Sequence, residues 1–357
     1  MRVVVALSGG VDSSVAAALL AEAGHEVIAV TLQLADLSDR GLGASRCCSA
    51  ADVEFARAVC ARLGVPHYVL DMEEEFRRAV LDPFVESYLA GETPLPCARC
   101  NSRVKFGELL RVTAQFGAAA LASGHYARVA RAGDGEVRLL RGLDRSKDQS
   151  YFLFELTSFQ LESVLFPLGG MTKAEVRRKA QSLGLPNAAR RDSQEVCFVP
   201  AGGSYADVLE RLAPERLPGR GEVVDRDGTT LGAHDGFHRY TIGQRRGIGV
   251  PGTSRRYVVG LEPAANRVVV GPREHALHRR LGLREVNWLA SWDAAPIHAE
   301  VQIRSRHEAA PATVTLGAGG RAEVEFDEPV LAPAPGQAAV CYAGERVLGG
   351  GWIAGVA

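Results

Sequence analysis

Long apolar runs are missing from this 357-residue chain: no stretch approaches the roughly 20 apolar residues that cross a bilayer, which excludes an ordinary membrane helix. A secretory leader is not expected either. The strand-like run Val3-Val4-Val5-Ala6-Leu7 follows a single arginine, is too short for the apolar core of a signal peptide, and meets a glycine turn instead of a cleavage site. A cytoplasmic protein is expected. Net charge is nearly absent, with 41 Lys and Arg against 42 Asp and Glu, which argues against a generic nucleic-acid coat. Internal repeats and low-complexity tracts are lacking, and the 46% hydrophobic and 23% charged residues are close to the average of soluble globular proteins. The seven cysteines are an odd number in a chain expected to be reduced, so each is either a small core residue or chemically employed.

The length suits two or three domains. Through the first 125 residues, short β-rich runs alternate with helical patterns: a strand at 3–7, a helix at 13–23 closed by Gly24, a strand at 26–34, a helix at 49–63 and a strand at 67–72. A helix at 101–116 and a strand at 118–123 complete the series. This alternation predicts a doubly wound parallel α/β sheet. A hairpin around Asp134-Gly135 follows, then helices near 157–165 and 172–183, the second opened by the capping box Thr172-Lys173-Ala174-Glu175. From about Gly202, short alternating runs at 256–260, 267–270 and 322–326 predict small, barrel-like β domains. The expected division is 1–202, 203–276 and 277–357. Lysine is absent between Arg211 and Arg284, where 14 arginines face seven acidic residues; this is either a solvated surface or a phosphate-backbone footprint.

Directly after the first strand stands Ser8-Gly9-Gly10-Val11-Asp12-Ser13-Ser14, leading into a helix. Two glycines let the backbone approach an anion, the serines add donors, and the following helix presents its positive end. The glycine spacing is not that of a dinucleotide fingerprint, and the Gly-Lys-Ser/Thr ending of a Walker A loop is missing. The segment resembles the PP-loop of ATP pyrophosphatases, which cleave ATP between the α- and β-phosphates and often adenylate a carbonyl oxygen. That resemblance implies ATP and Mg2+ as cofactors, with Asp12 positioning magnesium or pyrophosphate and Leu32 near the adenine.

Cys97-Ala98-Arg99-Cys100 precedes the expected helix at 101–116, and a thiol just before a helix N-terminus is expected to be activated. Cys197 lies in Asp192-Ser193-Gln194-Glu195-Val196-Cys197-Phe198, where its apolar neighbours also permit a buried structural role. Cys60 and Cys341 read as core residues, and the adjacent Cys47-Cys48 as an exposed pair. His125 is either a satisfied core histidine or a functional residue at the sheet edge. Trp288 and Trp292 read as packing residues.

With the phosphate loop, Thr93 to Phe106, Gly124-His125-Tyr126-Ala127, Lys147-Asp148-Gln149-Ser150-Tyr151, Asp192 to Phe198 and Thr241-Ile242-Gly243-Gln244-Arg245 together, the chain resembles the bacterial tRNA-specific 2-thiouridylases from Val3 to about Trp352. The resemblance implies ATP-dependent 2-thiolation of the wobble uridine in tRNAs for lysine, glutamate and glutamine. Cys100 then matches the nucleophile and Cys197 the persulfide carrier, the two able to form a disulfide once sulfur has left. Ala6, Leu7, Ser8, Gly9, Gly10, Val11, Asp12, Ser13, Leu32 and Gly124 match ATP contacts. Leu95, Pro96 and Cys97 match the segment meeting the target base, and His125, Lys147, Asp148, Gln149, Arg304, Ser305 and Gln337 match tRNA contacts. Arg245, inside the basic segment, is read as a further tRNA phosphate contact. The implied partners are tRNA and a sulfur donor such as a cysteine desulfurase or sulfur-relay protein.

One position departs from the pattern. Many members carry an aspartate three residues before the nucleophile, where this chain has Cys97. Three thiols, Cys97, Cys100 and Cys197, suit a [4Fe-4S] cluster; a persulfide and disulfide route with Cys97 spare, or a zinc site, are the other readings. The functional rivals are a PP-loop synthetase or amidotransferase of small molecules, which needs no such triplet, and a tRNA-binding protein without catalysis.

Overall fold

The computed structural model describes residues 1–35, 50–133, 135–190, 196–200, 202–250, 255–292 and 295–356. Cys47-Cys48, Asp134 and the Asp192–Glu195 part of the Cys197 motif lie outside the described residues. The chain forms two compact units, one of residues 1–81, 96–202 and 345–347, the other of residues 82–95, 203–344 and 348–357. Residues 82–95, which the sequence reading kept with the N-terminal region, cluster with the second unit.

The first unit is built on β1 (Arg2–Ala6), α1 (Val11–Glu22), β2 (Glu26–Gln33), α2 (Ala50–Leu63), β3 (His67–Asp71) and the short α3 (Glu73–Phe76). After the excursion through α4 (Asp82–Leu89) come α5 (Pro96–Arg99), a wide π-helical segment Cys100–Glu108, α6 (Leu109–Gln115) and β4 (Ala120–Ser123). The hairpin β5 (Ala127–Arg131) and β6 (Val137–Arg141), then α7 (Ser158–Glu162), β7 (Val164–Leu165) and α8 (Lys173–Ser182) complete it. Strand order is β3-β2-β1-β4-β7, parallel throughout, with Val3 opposite both Val27 and Ala120. Val3, Val4 and Val5 are fully buried, as a central parallel strand covered on both faces requires. One core joins Val3, Val5, Leu7 and Ala29 to Ala17, Ala56 and Cys60. Another packs α1 on α8 through Val11, Val15, Val176 and Ala180, with Tyr126 and Leu185. Chain order reverses between β1 and β4, a switch point that opens a crevice at the carboxyl ends of the strands.

In the second unit, α4 carries Phe84 and Tyr88 against Tyr205, the first residue of α9 (Tyr205–Leu212). β8 (Gly221–Val224), β9 (Thr230–His234), β10 (Tyr257–Glu262) and β11 (Arg267–Gly271) form a sheet of order β10-β11-β8-β9 around Val223, Phe237, Val258 and Val268. β12 (Leu277–Trp288), β13 (Ile297–Gln302), β14 (Ala310–Gly317), β15 (Arg321–Leu331), β16 (Ala338–Ala343) and β17 (Arg346–Val356) run in the order β12-β15-β14-β13-β16-β17, and a β12–β17 pairing closes them into a six-stranded barrel. The parallel α/β sheet and the barrel-like β modules agree with the sequence expectation. Alternating inward residues such as Ala322, Val324 and Phe326 fill the barrel, and Cys341 is wholly buried there. Burial raises the Cys341 thiol to about 12 and that of Cys60 to about 11, so both are inert packing residues.

Candidate active site

The phosphate loop leaves β1 at Leu7 and turns at Gly9, whose φ of +71° lies in the left-handed region and whose missing Cβ would stand 2.3 Å from the Asp52 carbonyl oxygen. The Ser8 backbone N–H donates to Ser13 Oγ (3.1 Å), and Ser14 Oγ donates to the Gly10 carbonyl (2.8 Å), which sets the first turn of α1. Leu32, the penultimate residue of β2, is buried. Gly124 follows β4, and a Cβ there would come within 2.7 Å of the Ser13 nitrogen, so only glycine lets this strand end approach α1. Ala6 to Ser13, Leu32 and Gly124 therefore share the carboxyl edge of one sheet.

Four side chains around the loop were not singled out by sequence. Lys173 Nζ donates to both Asp12 oxygens (2.7 and 2.9 Å), and the Tyr126 hydroxyl donates to Asp12 Oδ1 (2.8 Å). Asn187 Nδ2 donates to the Gly9 carbonyl and to Ser14 Oγ, both at 2.8 Å. Arg190 pairs with the buried Asp52, stacks on Phe55 and reaches the Gly9 carbonyl at 3.4 Å. A signal for Lys173 was legible in principle: a cation at the first helical position opposes the helix dipole and calls for another explanation. Asn187 and Arg190 carry no local pattern.

The thiols depart from expectation in one respect. The helix does not begin after Cys100; it begins at Pro96, a residue suited to a first helical position, and Arg99 is already helical (φ −59°, ψ −44°). Cys97 thus sits in the first turn, and Cys100, 6% exposed, in the second. The wide turns that follow are braced by side chains. Gln160 Nε2 donates to the carbonyls of Ser102 (3.1 Å) and Phe106 (2.7 Å), and Asn101 Nδ2 to that of Phe152 (3.1 Å). The buried Glu155 carboxylate accepts from Arg99 Nη1 (2.6 Å) and Ser102 Oγ (2.8 Å), holding the turn that carries Cys100. Such π-helical widenings recur at functional sites. Cys197 is partly exposed, while its neighbour Phe198 is 2% exposed and packs edge-on to Phe76 at 6.1 Å. Phe198, not Cys197, is the structural anchor of that loop.

Among the described residues, no three His, Cys, Asp or Glu side chains converge as metal ligands.

His125 packs between Phe106 and Phe166, and its Nδ1 lies 2.8 Å from Ser123 Oγ. Desolvation, assisted by the nearby Lys105 charge, lowers its pKa to about 3, so the ring is neutral at physiological pH. Asp148 accepts from the backbone of Gly142 and Ser150, from Ser150 Oγ and from Arg141, all at 2.9–3.0 Å. The Gln149 side chain accepts from the Tyr126 N–H (2.9 Å). These two residues shape the loop on which Lys147 rides.

Within the second unit, the loop ending at Leu95 is tied down by its own neighbours. Gln337 Nε2 donates to the carbonyls of Thr93 (2.9 Å) and Pro94 (3.2 Å), and Arg284 grips Glu92 through two bonds of 2.7–2.8 Å. The Arg304 guanidinium donates to the Leu331 carbonyl, and Gln302 Nε2 donates to the carbonyls of Arg304 and Ser305. Arg245, Arg255 and Arg256 line a cleft of about 380 Å³ with Ile248 and Val250. Trp288 packs against the barrel core, whereas Trp292 is 44% exposed, contrary to its reading as a packing residue.

Residues 1–201 match the family described as tRNA methyl transferase HUP domain, 206–272 the tRNA methyl transferase PRC-barrel domain, and 278–353 the Aminomethyltransferase beta-barrel domain. The tRNA-specific 2-thiouridylase MnmA of Geobacter metallireducens is 51% identical over 358 residues, covering 99% of this chain and 96% of that protein. Its namesake from Rhodospirillum centenum is 51% identical over 363 residues, covering 99% and 91%. Among solved structures, a 4-thiouridine synthetase–RNA complex with bound ATP aligns with a TM-score of 0.35 and 20% identity over 60% of this chain and 51% of that one.

Proposed function

Because this chain belongs to the tRNA-specific 2-thiouridylase family and is a tRNA-thiolating enzyme, we propose that it adenylates the C2 oxygen of the wobble uridine in tRNAs for lysine, glutamate and glutamine and replaces that oxygen with sulfur carried on Cys197. The observation that carries this reading is the convergence of the phosphate loop, Leu32 and Gly124 on one sheet edge, in a unit that also contains Cys97, Cys100 and Cys197. ATP lies along Ala6 to Ser13, with its adenine toward Leu32. Asp12 would help position magnesium, which when bound would offset the negative charge of the phosphates.

The uridine O2 attacks the α-phosphorus, the bond to the bridging oxygen of the β-phosphate breaks, and pyrophosphate departs with the electron pair. Loop amides stabilise the charge that builds on the phosphates. AMP is now the leaving group at C2. The terminal sulfur of a Cys197 persulfide attacks C2 and expels AMP. The Cys100 thiolate then attacks the Cys197 sulfur, which forms the Cys100–Cys197 disulfide and frees the thiouridine. A thiol reductant returns the disulfide to two thiols, itself becoming oxidised, and a sulfur donor such as a cysteine desulfurase or sulfur-relay protein, acting in the cytoplasm, then passes sulfane sulfur to Cys197 to restore the persulfide. Cys97 stands where a carboxylate base is usual, so base catalysis does not come from that position.

Leu95, Pro96 and Cys97 face the target base in this reading, and His125 meets tRNA as a neutral ring. Lys147, Arg245, Arg304 and Ser305 contact the backbone, while Asp148, Gln149 and Gln337 serve through the loops they hold. The division 1–202, 203–276 and 277–357 separates chemistry from the two β modules that grip tRNA. Among the described residues no helix is long and apolar enough to cross a membrane. ATP/pyrophosphate exchange with and without unmodified tRNA tests the proposal: exchange that requires tRNA supports it, and tRNA-independent exchange on a small substrate refutes it.

A further inference from the structure

Lys173 occupies a position that ordinary helix chemistry disfavours. It is the first residue of α8, where the partial positive charge of the helix end repels a cation, and it is only 9% exposed, a burial that lysine tolerates only when paired. Its backbone is fixed from two sides. The Lys173 N–H donates to Asp144 Oδ2 (3.0 Å), and Thr172 and Glu175 close a capping box around it. Its ammonium is thereby delivered to Asp12, whose carboxylate is oriented by the Tyr126 hydroxyl. The two helices that carry the pair are locked together through Val11, Val15, Val176 and Ala180.

A purely structural ion pair has no need of this location. Asp12 is the second residue of the helix that the phosphate loop opens, and its side chain remains 32% exposed while that of Lys173 is 11% exposed. A lone carboxylate at the mouth of a phosphate cradle would repel a triphosphate; a lysine held against it cancels that charge and keeps a cation within reach of the same space.

We propose that Lys173 is a phosphate-binding catalytic residue of this site: in the empty enzyme it neutralises Asp12, and with ATP bound its ammonium bridges Asp12 and the β- and γ-phosphates. There it stabilises the negative charge that collects on pyrophosphate as the bond between the α-phosphorus and the bridging oxygen breaks. The inference rests on the adenylation reading and deepens it. Asp144, at the start of the Lys147 loop, and Tyr126 become positioning residues, acting through Lys173 and Asp12 respectively.

The test compares wild type, K173Q and the double variant D12N/K173Q, using magnesium-free inorganic pyrophosphate and AMP as separate binding probes, together with tRNA-dependent pyrophosphate release at saturating ATP. Both variants are expected to bind pyrophosphate at least 10-fold more weakly than wild type, to bind AMP within twofold of it, and to release pyrophosphate at least 100-fold more slowly. The double variant leaves no unpaired charge at the site, so it reports on contact even where K173Q fails to fold. Wild-type pyrophosphate affinity in the double variant would reduce Lys173 to a neutraliser of Asp12 and overturn the proposal, as would a parallel loss of AMP and pyrophosphate affinity. Wild type that releases no pyrophosphate with tRNA present would overturn the adenylation reading instead, while the binding probes still decide the role of Lys173.

Discussion

Gly124 shows how one missing atom shapes the nucleotide site. Its substitution by alanine places a Cβ within 2.7–2.8 Å of the Ser13 nitrogen and the Asp12 carbonyl carbon, both of them backbone that cannot rotate away. Gly124→Ala is expected to cost about 1–3 kcal/mol of stability, as overpacking does, and to weaken ATP binding; thermal denaturation and ATP titration check both. Cys100 is the complementary case, a buried thiol whose near-isosteric replacement by serine is expected to keep the fold. Cys100→Ser should retain ATP and tRNA binding while 2-thiouridine, measured by nucleoside mass spectrometry, falls to background; continued product formation would remove Cys100 from the mechanism. Lys147 and His125 separate charge from shape. Since His125 is neutral, His125→Asn should leave the salt dependence of tRNA binding unchanged, whereas Lys147→Ala should lower the slope of log affinity against log salt by about 1.

The helical run from Pro96 to Gln115 is the element on which sequence reasoning was least complete. Pro96 marked its true start, yet the reading placed the N-terminus after Cys100 and so assigned the helix-end effect to the wrong thiol. The wide turns at Cys100–Glu108 were not legible, because the groups that stabilise them, Gln160, Asn101 and Glu155, come partly from more than fifty residues away. Glu155→Ala leaves Arg99 without its buried carboxylate. A loss of about 2 kcal/mol is expected, below the 3–5 of a fully buried pair since Arg99 is 22% exposed, with thiolation reduced more than ATP affinity; urea unfolding and turnover measure the two effects. By contrast, β1 was legible to within one residue at each end and the loop after it by its residues, because a buried central strand and a phosphate turn are each written in adjacent positions. The capping box at Thr172 was equally clear, and it concealed Lys173, whose partner lies 161 residues earlier.

Over the whole molecule, six histidines, His67, His125, His234, His238, His278 and His307, have pKa values lowered chiefly by burial. In each, the folded-state value lies below the unfolded value of about 6.5, so between the two the unfolded chain binds more protons. Their contribution is complete above pH 6.5 and drains away as pH falls toward the folded values. The depressed carboxyls of Glu136, Asp144 and Glu175 contribute above their unfolded pKa, roughly 4, and lose that contribution only as pH falls below it. Unfolding midpoints in urea should therefore be lower at pH 5.5 than at pH 7.5; equal midpoints would contradict these burials. At this scale the sequence disclosed the parallel sheet and the β modules through period and spacing, but not the assignment of residues 82–95 to the second unit, which no local pattern encodes. The central claim, that the uridine C2 oxygen is activated by transfer to the α-phosphate of ATP, is tested most directly with tRNA carrying ¹⁸O at C2 of the wobble uridine. Mass spectrometry of the nucleotide product should find that label in the phosphate of AMP, in amounts matching the 2-thiouridine formed; thiolated tRNA accompanied by unlabelled AMP would contradict the account.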